Sequence, residues 1–311
     1  MTKIWMSKGG VYFIVAAFLF ISLVLVLNHT GFFNKIAEIT GYATSSTASL
    51  NITIGNSAPT IGYVDAISAQ DPSIGTTKSV IFNFTATDTD GYTNLDSTTA
   101  KAYFQKVGET TRSNTSCAAN GTASGNSQNY VCTINMWYFD INGAWTINVT
   151  IDDINGAHAE NSSTTFTYNL QTAMTMSPTS LTWTPVGLSD TDTGSNNDPI
   201  VVNNSGNDVN LNINVTAYNL RGEITTTQYI YANNFTIENA SQGCSGAAMT
   251  NATSINVTTA ILQKGNNTLN YNNDTSGQEQ IYFCLKGVPS GISAQSYSSA
   301  AYGAWAVAII T

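Results

Sequence analysis

Apolar residues recur at every second position in short runs, and that period decides what this chain can fold into. In residues 79–86, Val80, Phe82 and Phe84 share one parity while Asn83 and Thr85 take the other. Trp145, Ile147, Val149 and Ile151 alternate with Asn148 and Thr150, and Val209, Leu211, Ile213 and Val215 with Asn212 and Asn214. Successive side chains project to opposite faces of a strand, so each run makes one apolar face and one face of amides and hydroxyls. Clusters of Gly, Asn, Asp and Ser separate the runs, a spacing that suggests a sandwich of short strands and not an α/β fold.

The polar face is built without charge. Charged residues make up 9% of the chain, against about 25% in ordinary domains, yet the mean hydropathy is only −0.04. Asn, Ser and Thr, roughly a third of all residues, supply the difference. The formal net charge of −9 argues against nucleic acid as a partner, because phosphate contacts need Lys and Arg.

Residues 11–27 read VYFIVAAFLFISLVLVL, an uncharged run at the lower limit of the roughly 17–25 residues that span a bilayer. Lys3 and Lys8 precede it, which by the positive-inside rule puts residues 1–10 in the cytoplasm as a short tail. A small-x-small cleavage site is missing after Leu27, where Asn28, His29, Thr30 and Gly31 follow. The run therefore reads as an uncleaved transmembrane signal-anchor and not as a removed signal peptide. Residues 28–49 form a Ser/Thr/Ala-rich stalk. The expected location is the cell membrane, single-pass, with an extracellular C-terminal region.

Export agrees with the glycosylation sequons. Asn-x-Ser/Thr occurs about fifteen times, roughly twice the chance expectation. In the first half the acceptor candidates are Asn51, Asn83, Asn114, Asn120, Asn148 and Asn161. The second half adds Asn203, Asn214, Asn234, Asn239, Asn251, Asn256, Asn266 and Asn273. Asn83, Asn148 and Asn214 fall on the polar parity of their runs, where a sugar would meet solvent.

Two β-rich regions follow the stalk, 50–170 and 171–311. The first has seven expected strands: 50–54, 61–64, 78–87, 100–107, 130–135, 144–152 and 163–169. The second includes 181–184, 200–203, 209–218, 229–237, 254–262, 280–286 and 304–311. The stretches Ser57-Ala58-Pro59-Thr60-Ile61, Phe82 to Gly91 with its Asp88-Thr89-Asp90-Gly91 turn, and Gly143 to Asp153 resemble strands of PKD-, cadherin- and immunoglobulin-like surface modules. Residues 199–207, ending Asn203-Asn204-Ser205-Gly206-Asn207, are similar to Ig-like repeats of prokaryotic, especially archaeal, surface proteins. The resemblance implies an all-β chain, two immunoglobulin-like β-sandwich domains after a single N-terminal transmembrane helix. It also implies roles such as spacer, adhesin or envelope component, and it specifies fold better than function.

Four cysteines, Cys117, Cys132, Cys244 and Cys284, allow three pairings, and their partition between the halves favours Cys117–Cys132 and Cys244–Cys284. Asp88, Asp90, Asn94 and Asp96 crowd one glycine-containing turn, the one candidate Ca²⁺ site, since that ion takes six to eight oxygens. The competing reading is an ordinary Asp/Asn/Gly turn. Asp190, Asp192, Asn196, Asn197 and Asp198 form a second oxygen-rich cluster with the same two readings. Asp152-Asp153 with Asn155-Gly156 reads as a hairpin turn. Trp145 and Trp305 read as core residues, and Trp137-Tyr138-Phe139 as packing between sheets or at a junction, with sugar stacking as the rival. No Gly-x-Ser-x-Gly, phosphate loop or zinc-binding His-Glu motif occurs, and His29 and His158 are the only histidines.

The expected function is a structural, adhesive or envelope glycoprotein, not an enzyme and with no firm cofactor. Two alternatives are a pilin-like filament subunit, suggested by Lys8-Gly9 before the apolar run, and a module binding glycans or other surface proteins. Partners are then the membrane, surface proteins or glycans, and other copies of the chain.

Overall fold

The computed structural model describes residues 8–29, 49–241, 243–266 and 277–311, with helical side chains given for residues 15–27 and 29. The start of the expected tail, most of the stalk and the acceptor Asn273 lie outside the described residues. The chain divides into two units, Met1–Gly55 and Asn56–Thr311.

The first unit holds helix α1 (Lys8–His29). Its apolar residues cover every side, and Phe18, Leu19, Phe20, Leu23 and Leu25 are exposed. Among the described residues no helix is long and apolar enough to cross a membrane. Residues 50–54, expected as the opening strand, carry no regular structure, and Leu50, Ile52 and Ile54 are 84%, 76% and 86% exposed. Alternation prepares a segment to be a strand, but its backbone groups still need a neighbour.

The second unit is all-β and sandwich-like, with its buried apolar side chains in two clusters. Around the first cluster run β1 (Thr60–Val64), β2 (Thr77–Thr87), β3 (Leu95–Gln105), β4 (Arg112–Asn114), β5 (Ala118–Ser124), β6 (Ser127–Trp137), β7 (Gly143–Asp153) and β8 (His158–Tyr168). They form two antiparallel sheets, β1-β2-β6-β5 and β4-β3-β7-β8. Alternation sets their facing: Val80, Phe82 and Phe84 are buried, while Ile81 between them is 64% exposed. Phe82 of one sheet meets Phe104 of the other with ring centroids 5.5 Å apart, and Phe104 meets Phe166 at 4.6 Å. Trp145 is fully buried, its indole N–H satisfied by the Ile141 carbonyl at 2.9 Å. The β7–β8 hairpin turns where Asp153 and Gly156 suggested, with the Asp153 amide donating to the Ala157 carbonyl at 2.9 Å.

The second cluster lies among β9 (Met174–Ser177), β10 (Thr191–Gly194), β11 (Ile200–Asn204), β12 (Leu211–Thr216), β13 (Leu220–Gly222), β14 (Tyr229–Ile230), β15 (Phe235–Glu238), β16 (Ala247–Ala248), β17 (Ser254–Leu262), β18 (Gln278–Gly287), β19 (Tyr297–Ser298) and β20 (Ala306–Ile310). One sheet has the order β16-β15-β18-β11-β9, with β10 also on β18; the facing strands are β17-β12-β20, and β14-β13-β19 make a small third sheet. The segment 181–184, expected as a strand, is not one. Its Thr182 and Thr184 amides donate to the Asn197 and Asn196 side chains at 3.1 and 2.6 Å. The expected run 229–237 is broken by a 3-10 turn at Ala232–Asn234. Both expected disulfides are present, Cys117–Cys132 and Cys244–Cys284, with Cα atoms 4.6 and 5.1 Å apart.

The facing of β2 and β3 predicts contrasting substitutions. Phe104→Ala should cost about 3–5 kcal/mol, the range for emptying an aromatic site in a core. Ile81→Ala, one residue out of phase with the buried row of β2, should stay within about 0.5 kcal/mol. Denaturant unfolding of both variants, followed by tryptophan fluorescence, measures the difference.

Candidate functional site

Three polar assemblies stand out, two at the ends of the first β region and one on the outer faces of both regions. At one end, the Asp88-Thr89-Asp90-Gly91 turn bends with φ of 112° at Gly91, a value only glycine takes without strain. Fully buried Asp88 accepts from the Asp90 amide at 2.8 Å and from the Asn94 side-chain amide at 3.0 Å. Asp90 accepts from the Ser57 amide at 2.7 Å. The structure thus brings Asp88, Asp90 and Asn94 together and adds Asn56, with Asp153 and Asn155 of the expected hairpin turn, which the spacing did not join to this cluster. Asn56 donates to Asp153 at 2.6 Å and accepts from both Asn94 and Asn155. Asp96 stays apart, accepting from the Thr98 hydroxyl at 2.6 Å and its amide at 3.0 Å.

The Asn56 amide, helped by backbone N–H groups of residues 155–157 and opposed by burial, holds the Asp153 carboxyl below the usual carboxylate range. The Thr98 hydroxyl and amide do the same for Asp96. N–H donors already serve the gathered carboxylates. Among the described residues no group of three or more His, Cys, Asp or Glu side chains is arranged to hold a metal ion. The arrangement works as a lock: it ties the start of the β region (Asn56, Ser57) to the turn before β3 and to the β7–β8 hairpin.

In the second oxygen-rich cluster Asp190, Asn196, Asn197 and Asp198 bond to backbone groups. Asp190 accepts from the Gly187 amide at 2.5 Å, and Asn196 and Asn197 hold residues 180–184 as a neighbouring strand would. Asp198 accepts from the Phe283 and Ser195 amides at 3.1 and 3.3 Å. Its burial outweighs those bonds and pushes the carboxyl above its ordinary value.

The second assembly joins the two β regions, and its hub is the Asn203 to Asn207 stretch. Asn207 is 2% exposed, and its amide donates to the Asp140 carbonyl at 3.1 Å and the Asn169 carbonyl at 2.9 Å. Its carbonyl oxygen accepts from the Gln171 amide at 2.6 Å. A Cβ on Gly206 would overlap the Gln171 carbonyl, so the close approach needs glycine. Around this hub, the Gly75 amide donates to the Ser205 carbonyl at 2.9 Å and the Tyr138 hydroxyl to the Asn266 carbonyl at 2.9 Å. Lys264 pairs with Glu109. Asp140 is fully buried and held by Arg112, whose Nη2 lies 2.5 Å from Oδ1, and by the Trp137 amide at 2.7 Å. Trp137-Tyr138-Phe139 therefore serves a junction, as one of its two readings held. The hub itself was missed; the density of Asn and Gly at 203–207 was its only signal.

The third assembly is the set of sequon asparagines. Four edge strands each carry one: Asn114 on β4, Asn120 on β5, Asn161 on β8 and Asn256 on β17. Asn83, Asn148, Asn203 and Asn214 stand on the outward rows of β2, β7, β11 and β12. Two pairs touch: Asn120 donates to Asn83 at 2.9 Å, and Asn256 to Asn214 at 3.0 Å. Asn51, Asn251 and Asn256 are exposed.

Two outcomes follow from the joint and from Asp198. Asn207→Ala strips the partner from two carbonyls and one amide at a buried position, and should cost about 1–3 kcal/mol or more. Thermal unfolding of this variant should separate into two transitions where the parent shows one. For Asp198 the folded pKa is raised, so its contribution is favourable below the unfolded value of about 3.9 and is lost as pH rises through the folded value. Asp198→Asn should therefore raise the melting temperature at pH 7, and the gain should shrink toward pH 4. Melting curves across that range test the sign. No protein-family model matches this chain, and no curated protein matches it.

Proposed function

We propose that the chain is a membrane-anchored, cell-surface glycoprotein with a structural role, holding two immunoglobulin-like modules as one stiff spacer outside the cell. The observation that carries the reading is the placement of the sequons. Asn83, Asn148, Asn203 and Asn214 lie on outward rows and Asn114, Asn120, Asn161 and Asn256 on edge strands, where a sugar would point away from the apolar core and would keep a second chain from pairing with the edge. Two disulfides agree with an oxidising exterior. The uncharged run at residues 11–27 and the apolar circumference of α1 support the lipid anchor. The buried polar joint at Asn207 supports a spacer, because hydrogen bonds at fixed directions resist bending between modules more than apolar contact does.

The test is the intact mass of the native chain, extracted from membranes, before and after enzymatic removal of asparagine-linked sugar. The expected mass exceeds the 33.1 kDa polypeptide and returns to it on treatment. Glycopeptide mapping should show that Asn83 and Asn120 are not both occupied on one molecule, nor Asn214 and Asn256, because their side chains are in contact. A native mass equal to the bare polypeptide would overturn the reading.

A further inference from the structure

We propose that β20 is an open strand seat, and that residues 50–54 of a second copy of this chain fill it. This goes beyond the surface-glycoprotein reading and depends on neither the lipid anchor nor the sugars.

The first observation is a difference between the two β regions. In the first, β7 lies between β3 and β8, and its inward residues Trp145, Ile147, Val149 and Ile151 are all 0% exposed. In the second, β20 lies beside β12, and among the described residues no strand pairs with its other side. Among the described residues no backbone hydrogen bond leaves that side. Its inward residues Val307 and Ile309 are only half-buried, although they pack on the core. The apolar interior is closed in the first region and open along β20 in the second.

The second observation is that β20 lacks the guards carried by the other edge strands longer than two residues. Edge strands are normally blunted by charge, proline, bulges or a cover. The edges β4, β5, β8 and β17 each bear a sequon, and β8 also carries His158 and Glu160. The free side of β1 has its Ile61 carbonyl capped by the Asn161 amide at 2.8 Å. β9 is a strand of 4 residues stopped by Pro178. By contrast β20 reads AVAII, without charge, proline or sequon.

The third observation is an unused strand of the same length. Residues 50–54 read Leu-Asn-Ile-Thr-Ile, with Leu50, Ile52 and Ile54 on one parity and more than three-quarters exposed. Laid beside β20, that parity would cover Val307 and Ile309 and leave Asn51 and Thr53 outward.

The chain's own reach decides which copy supplies it. Asn56 is held to Asp153 at the far end of β7 by a 2.6 Å bond. Residue 50 can stand at most about 22 Å from Asn56, at about 3.6 Å per residue. β7 runs 11 residues from Asp153 back to Gly143 near the joint, and the steps between them span about 33 Å at about 3.3 Å each. β20 lies beyond that joint, out of reach of its own residues 50–54. A donor from another copy makes a head-to-tail contact, whose repetition builds a chain of copies and not a closed pair.

The experiment uses the full chain in detergent. Asn51→Cys or Thr53→Cys on one preparation is mixed with Ala306→Cys or Ala308→Cys on another, covering both registers, and oxidised. A cross-linked pair of copies is the expected result. Ile52→Asp on the donor, or Ala308→Lys on the acceptor, should lower its yield about tenfold or more, with circular dichroism unchanged because both positions are exposed or half-open. Absence of a cross-link between folded partners overturns the proposal. So does a cross-link that survives Ile52→Asp, or one that forms only within a single chain carrying both cysteines.

Discussion

A strand has two faces and this molecule gives each a separate solvent, so every inward side chain commits its neighbours to water. The effect is plain on β2, where Val80 and Phe82 are each 2% exposed and Ile81 between them is 64% exposed. Most proteins meet that commitment with Lys, Glu, Arg and Asp. Here Asn, Ser and Thr meet it, which is why charge falls to 9% without the chain becoming hydrophobic overall. Amides and hydroxyls neither titrate in the ordinary pH range nor lose their contacts to salt screening. A surface built from them keeps its hydrogen bonds across ionic conditions that would weaken a charged one.

The same amides have a second use inside the fold, as substitutes for peptide groups. A side-chain amide offers one acceptor and two donors in a plane, so it can complete a ladder where no strand is present. Asn207 does this between the two β regions, bonding Gln171, Asp140 and Asn169 at once. Asn196 and Asn197 do it for residues 180–184, and Asn204 for the Asp208 and Gln263 carbonyls at 2.6 and 2.9 Å. Asn204 and Asn207 are themselves buried, and an apolar residue at either position would leave carbonyls without a donor.

Period-two alternation made the long central strands legible. β2, β6, β7 and β12 follow from Phe82, Tyr130, Trp145 and Ile213, because one parity is apolar over several residues. The β5 segment Ala118–Ser124 was not legible, since AANGTAS has no apolar parity and pairs through its backbone alone. Residues 181–184 erred the other way: Leu181 and Trp183 alternate, but their neighbours are asparagine side chains and not a strand. For the loop cluster, the sequence marked Asp88, Asp90 and Asn94 through local spacing. It could not mark Asn56, Asp153 and Asn155, which arrive from distant turns, nor exclude Asp96, which differs only in which backbone amide it meets. The joint was hidden for the same reason, as Asn207 and Asp140 are far apart in the chain.

The disulfides sit where apolar burial is too thin to hold a strand. None of the seven residues of β5 is buried, and β16 has two residues, so neither gains much from the hydrophobic effect. Cys117 lies immediately before β5 and is bonded to Cys132 on β6, the strand that β5 must pair with. Cys244 lies just ahead of β16 and is bonded to Cys284 on β18. Closing a loop of 15 residues removes about 3 kcal/mol of unfolded-state freedom in the chain-entropy model, and a longer loop somewhat more. That is comparable to burying one or two large aliphatic side chains, about 1.5–3 kcal/mol each. A polar strand pinned in this way can keep its outer surface for amides and sugars, because its attachment no longer depends on what its side chains bury.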